Sequence, residues 1–170
     1  MTNSNQLSKK HLIKVLIGFF LGMVFTISYF SPSVFDGKTL GFHDVKQAEA
    51  SKAELKEYRD KTGKEALWTN RMFGGMPLYI TGSKFSNNYS EKLSNIFRFL
   101  PRGADVTFLG FASCFIMLLC FRVNPLGAFI GAFAFGFNTF SMVSTEAGHI
   151  FKILALAYTP LVIGLSLIHI

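Results

Sequence analysis

The sequence predicts an all-α integral membrane protein, a multi-pass helical bundle with one large polar loop after its first span. Three observations carry this expectation. Half of the 170 residues are hydrophobic and only 16% are charged, whereas ordinary soluble domains carry about 25% charged residues. Mean hydropathy is +0.37. The apolar residues, 20 of them Phe, come in blocks, and a helical span needs about 20 mostly apolar residues.

The elements follow in order. Residues 1–11 are polar and include Lys9 and Lys10. Residues 12–30 form an apolar run broken only by Lys14. The run is long, rich in Phe and Ile, and followed by SPSVFDGK, which lacks a small-residue cleavage site. It therefore reads as an uncleaved first span and not as a signal peptide. Lys9, Lys10 and Lys14 place the N-terminus in the cytoplasm by the positive-inside rule.

Residues 31–103 are polar and hold nearly all the acidic residues. Within them, DVKQAEASKAELKEYRDK (Asp44 to Lys61) predicts a surface helix with an i,i+4 pair, Glu57 to Lys61, and a stop at Thr62 and Gly63. Gly74, Gly75 and Pro77 mark a turn. From Tyr89 to Leu100, apolar residues at helical spacing suggest a segment along the membrane surface.

Residues 104–170 predict three further spans. One runs from Ala104 to Phe121 and turns at Arg122, Asn124 and Pro125. The next runs from Leu126 to Val143 and ends in a polar break, STEAGH. The last begins near Ile150. With the N-terminus inside, Arg122 falls inside, and the long loop and Glu146 share the extracytoplasmic face. The first two spans read as free of buried acidic residues, which argues against proton-coupled transport. The chain stops within its fourth apolar block, so it is expected to be part of a longer protein, and His169 is given no role.

The net charge of +7 raises nucleic-acid binding, but the basic residues lie scattered through the loop and the span ends. That distribution suits lipid headgroups or a phosphorylated ligand better than nucleic acid. Cys114 and Cys120 sit six apart in one apolar block, so they point in different directions on a helix and read as small hydrophobes.

Three groups of residues could carry chemistry. Asp44, with His43 beside it, stands soon after the first span and could serve as a general base. The residues by themselves favour a simpler role, since Asp44 precedes the surface helix and Gln47 stands three residues on, as in a capping box. In WTNRMFGGMP (Trp68 to Pro77), Arg71 could hold a phosphate bidentately, with Gly74 and Gly75 letting backbone amides approach an anion. An interfacial turn, with Trp68 and Tyr79 in the aromatic belt, accounts equally well for this stretch. Glu146 and His149 could share a helix face and bind an anion or metal. A polar turn with Thr145 capping the fourth span is the favoured alternative, and Lys152 is expected to snorkel to the interface.

These motifs taken in order, GFHDVKQ, EYRDKTGKEALWTNRMFGGMP and FGFNTFSMVSTEAGHIFK, resemble the N-terminal part of the YfhO family of bacterial membrane proteins. The resemblance runs from about residue 12 to 165 and is most specific at LWTNRMFGGMP and EAGH. Family members are longer and look like GT-C membrane glycosyltransferases, which take a sugar from a polyprenyl-phosphate carrier on the outer face. The resemblance implies location in the bacterial cytoplasmic membrane and an acceptor in the cell envelope, such as lipoteichoic acid. It implies a catalytic role for Asp44, with His43. Arg71, Asn70, Gly74, Gly75, Glu146, His149 and Lys152 are then expected at the substrate. No cofactor is implied, and metal dependence stays open, a divalent metal being compatible but not indicated. A non-catalytic membrane module, or a component of a lipid-linked sugar flippase, remains as an alternative.

Overall fold

A computed structural model of the chain describes residues 2–38, 41, 52–70, 73–78, 87–89, 92, 95 and 98–169, with the side chains of residues 2–8 left undescribed. The described residues are mostly helical. In chain order the elements are α1 (Thr2–Tyr29), α2 (Ser31–Val34), α3 (Ala53–Thr62), β1 (Trp68–Thr69), β2 (Met76–Pro77), α4 (Ala104–Cys120), α5 (Pro125–Gly136), α6 (Thr139–Ala147) and α7 (Ile150–His169). Three segments are long and apolar enough to cross a membrane: Lys9–Tyr29, Pro125–Ala147 and Ile150–His169, with mean hydropathies of 2.0, 1.5 and 1.9. Helix α4 is apolar but shorter, at 17 residues, or about 25 Å of helix.

Helix α4 is the hub and packs against α1, α5 and α7. Every residue from Ala104 to Phe115 is buried, the condition of a helix surrounded by others. Helix α1 buries one stripe: Gly18, Gly22, Thr26 and Phe30 recur every four residues. A Cβ on Gly22 would lie 2.0 Å from the Phe111 ring, and one on Gly18 would lie 2.9 Å from Phe115. The small residues of α1 thus seat the aromatic residues of α4, the close approach by which helices associate in lipid. Leu16, Ile17, Phe20 and Val24, on the other side of α1, are exposed, as suits a lipid-facing surface.

Aromatic rings bind the bundle. Phe111 stacks on Phe115 with centroids 5.7 Å apart, meets Phe129 of α5 edge-on at 5.7 Å, and Phe19 of α1 meets Phe108 edge-on at 5.5 Å. These contacts set directions. Gly18 faces Phe115 and Gly22 faces Phe111, so α1 and α4 are antiparallel. Phe25 meets Phe129 and Phe133, and Tyr29 meets Phe137, so α1 and α5 are parallel. Ser113 Oγ donates to the Ala157 carbonyl, and Gly164 abuts Met117, so α4 and α7 are parallel.

Several expectations are corrected. The apolar run after Leu126 gives the expected third span, Pro125–Ala147, but as two consecutive helices. It breaks at Phe137 and Asn138, where the Asn138 side chain accepts the Ser141 N–H at 2.8 Å and caps α6. The segment STEAGH is not a turn throughout: Ser144 to Ala147 are the last turn of α6, and Gly148 (φ 97°) ends it. Nor are the first two spans free of buried acid. Asp105, in the first turn of α4, is 3% exposed. Its carboxylate accepts from Arg98 Nε at 2.7 Å and from the backbone N–H groups of Gly103 and Val106 at 2.9 and 2.8 Å. The mostly helical fold agrees with the expected all-α class, and the loop adds one small hairpin, in which β1 and β2 pair antiparallel, Trp68 opposite Pro77 and Thr69 opposite Met76.

The surface helix is observed over Ala53–Thr62, where Lys61 Nζ lies 2.8 Å from Glu57 and Gly63 (φ 67°) ends the helix as expected. Its anticipated start, with the Asp44 and Gln47 capping box, lies outside the described residues. So does half of the segment from Tyr89 to Leu100, including Leu93, Ile96 and Phe97.

Candidate functional site

The structure gathers the described candidates into two groups. The first lies where the β1–β2 hairpin meets α3. Thr69 is buried and its hydroxyl donates to Glu54 of α3 at 2.9 Å, and Leu78 N–H donates to the Leu67 carbonyl at 2.8 Å. Leu55 of α3 and Leu78 beyond β2 are the buried apolar residues of this unit. The hairpin tip has three successive residues at positive φ: Phe73 at 53°, Gly74 at 72° and Gly75 at 123°. Gly75 is needed twice over, because a Cβ there would also lie 2.9 Å from the Trp68 indole. Phe73 has no such licence, and αL costs a non-glycine residue about 1–2 kcal/mol. Its ring is 91% exposed.

Between helix and hairpin is a cleft of about 460 Å³, lined by residues that include Glu54, Tyr58, Glu65, Trp68 and Asn70. Two aromatic residues, two acidic residues and an amide therefore line one cleft, together with Leu55, Ala66 and Leu67. Arg59 Nε sits 3.2 Å from Glu65. On the outer side of α3, the Glu57 carboxylate holds the Lys61 ammonium above the usual lysine range through a hydrogen bond. Aromatic faces with a negative quadrupole accept the C–H faces of a flat polar ligand, and carboxylates accept its hydroxyl protons.

Of the residues expected at a substrate, Asn70 lines this cleft and Gly75 lies against its Trp68, while Gly74 stands open to solvent at the tip. Trp68 is thus part of a cleft wall. His43, Asp44 and Arg71, with Tyr79 of the anticipated aromatic belt, lie outside the described residues. Glu54, Tyr58 and Glu65 escaped the sequence reading. Glu54 and Tyr58 share a face of α3 at i,i+4 spacing, but no spacing signals that Glu65 closes on them.

The second group is the turn from α6 to α7. Glu146, His149 and Lys152 are all exposed. Glu146 and His149 do not share a helix face, since Gly148 in αL separates their elements. Thr145 does not cap α7: it is buried, and its hydroxyl has no hydrogen-bond partner among the described residues. The exposed Lys152 side chain places its ammonium 4.9 Å from the centre of the Phe140 ring, a cation–π contact. Among the described residues no three His, Cys, Asp or Glu converge as metal ligands would. Cys114 and Cys120 are free thiols, one buried and one half-buried.

No known protein family, curated protein or solved structure matches this chain.

Proposed function

We propose that the protein is a glycosyltransferase-like component of a bacterial cytoplasmic membrane, moving a sugar from a polyprenyl-phosphate carrier to a cell-envelope acceptor on the extracytoplasmic face. The observation that carries this reading is the cleft between α3 and the hairpin, whose Trp68 and Tyr58 rings and Glu54, Glu65 and Asn70 side chains match the chemistry of a pyranose. The topology is a second support. Lys9, Lys10, Lys14 and Arg122 gather at one end of the bundle, with no carboxylate in residues 1–35 or 106–145, which favours four crossings with that end inside. The loop and Glu146 then face outward. The resemblance of GFHDVKQ, LWTNRMFGGMP and EAGH to motifs of the YfhO family is a third support.

In this mechanism Asp44, with His43 beside it, takes the proton of an acceptor hydroxyl. The hydroxyl oxygen attacks the anomeric carbon, and the bond from that carbon to the phosphate oxygen breaks. The electron pair leaves with the polyprenyl phosphate, whose charge is met by Arg71, by the amides of Gly74 and Gly75, and by His149 and Lys152. Asn70 and Glu146 orient the sugar. The test is turnover of a labelled polyprenyl-phosphate sugar by membranes carrying the protein at its natural length. Asp44→Asn is expected to lower turnover at least about 100-fold, and Trp68→Ala to raise KM. Wild-type turnover in Asp44→Asn sinks the base assignment.

One observation favours a second reading, a carrier-lipid flippase component. The buried Asp105 and its partner Arg98 are a charged pair at a helix end, and ionisable groups within membrane bundles commonly mark transport paths. Movement of the lipid-linked sugar without sugar transfer selects this reading.

A further inference from the structure

The end of the bundle opposite the polar loop carries two adjoining hollows. The first, of about 530 Å³, is walled by Lys10, His11 and Lys14 of α1 and by Arg122 after α4. The second, of about 410 Å³, shares Lys14, Asn124 and Pro125 with the first and runs between Ile17 and Leu21 of α1 and Leu126 and Phe129 of α5. Because α1 and α5 are parallel, both walls of the second hollow lead away from the cationic mouth towards the middle of the bundle. A cationic mouth opening into an apolar groove matches an amphiphile with an anionic head and a hydrocarbon tail.

The local backbone adds a second observation. Helix α4 ends with the Val123 N–H on the Leu118 carbonyl at 3.0 Å and the Arg122 N–H on the Leu119 carbonyl at 2.9 Å. The residue between such bonds takes αL and is usually Gly, yet here it is Arg122, at φ 60°. No ion pair holds the Arg122, Lys10 or Lys14 side chains among the described residues. The chain thus keeps a strained arginine beside two lysines, with no carboxylate paired to them among the described residues.

We infer that this is a binding site for an anionic phospholipid, the phosphodiester held by Lys10, Lys14 and Arg122 and one acyl chain laid along Ile17, Leu21, Leu126 and Phe129. A zwitterionic lipid fits worse, because the mouth offers no carboxylate to its ammonium. A soluble phosphate fits worse, because it leaves the groove unused. The site is distinct from the cleft at α3 and does not depend on the sugar-transfer reading.

The test is native mass spectrometry of the purified full chain titrated with phosphatidylglycerol or phosphatidylcholine of identical acyl chains. Phosphatidylglycerol is expected to bind at least about tenfold more tightly, since each basic residue near an anionic surface contributes about 1 kcal/mol. Arg122→Gly is the decisive variant: it relieves the αL strain, so the thermal midpoint holds or rises, while the preference falls at least about threefold. Leu126→Trp, which fills the groove and leaves the charges, is expected to weaken phosphatidylglycerol binding. Equal binding of the two lipids, an unchanged preference in Arg122→Gly, or displacement of the lipid by soluble glycerol phosphate at equal concentration would each overturn the assignment.

Discussion

Gly136 sets α5 directly against the backbone of α4. A Cβ built there would lie 2.9 Å from the Phe111 Cβ, 3.0 Å from its Cα and 3.0 Å from its N. None of these atoms can rotate away, and Phe111 is fully buried, so Gly136→Ala must push two helices apart. Such overpacking costs about 1–3 kcal/mol. The better helix propensity of alanine returns at most about 1 kcal/mol, and less at the last residue of a helix. The net expectation is a loss of about 1–2 kcal/mol. Gly131→Ala, one turn and a half earlier in α5, is the control. Its Cβ meets only the Leu118 Cδ1 at 2.8 Å, the far end of a side chain that can change rotamer for about 0.5–1.5 kcal/mol. That cost and the propensity gain nearly cancel. Denaturant unfolding in micelles, run in parallel on both variants, gives the comparison. If Gly136→Ala is as stable as Gly131→Ala, the helix contact argued from these distances is wrong.

Two further outcomes follow from the described contacts. Asp105→Asn keeps an oxygen for the Gly103 and Val106 N–H groups but leaves Arg98 without its counter-charge; with the Arg98 side chain 24% exposed and partly rehydrated, the loss should be about 2 kcal/mol in the same unfolding assay, and a change within error would mean the pair is idle. Thr69→Val removes the hydrogen bond that pins the hairpin to α3, at a cost of about 0.5–1.5 kcal/mol; faster proteolytic cutting between residues 63 and 78 is expected, and an unchanged rate would show that the buried Leu55 and Leu78 hold the unit alone.

The apolar helices were legible because burial in lipid and burial in protein select the same residues. The run after Lys14 and the block after Ile150 need only a composition count. The break at Asn138 was harder, since one Asn in FGFNTF is easily passed over inside an apolar run. Its signal was present, for Asn138 and Ser141 have the spacing of a helix cap. Asp105 was missed for another reason. Its partner Arg98 is seven residues earlier, across the Pro101 to Gly103 turn, and no helical spacing joins them. The hairpin has strands of two residues each, too short for an alternating pattern to register. The cleft was least legible, since Glu65 reaches Glu54 and Tyr58 only once the chain has turned back at Gly63.

The chain has a single Trp, and its indole forms one wall of the cleft and lies against Gly75. The bundle, by contrast, is built on phenylalanine. Indole emission excited beyond the tyrosine band therefore comes from the cleft alone, with the membrane-embedded part spectroscopically dark. A ligand that fills that cleft lies beside the one indole of the molecule. The protein carries its own reporter at the place where a ligand is proposed to bind, and an unlabelled titration can be read there directly.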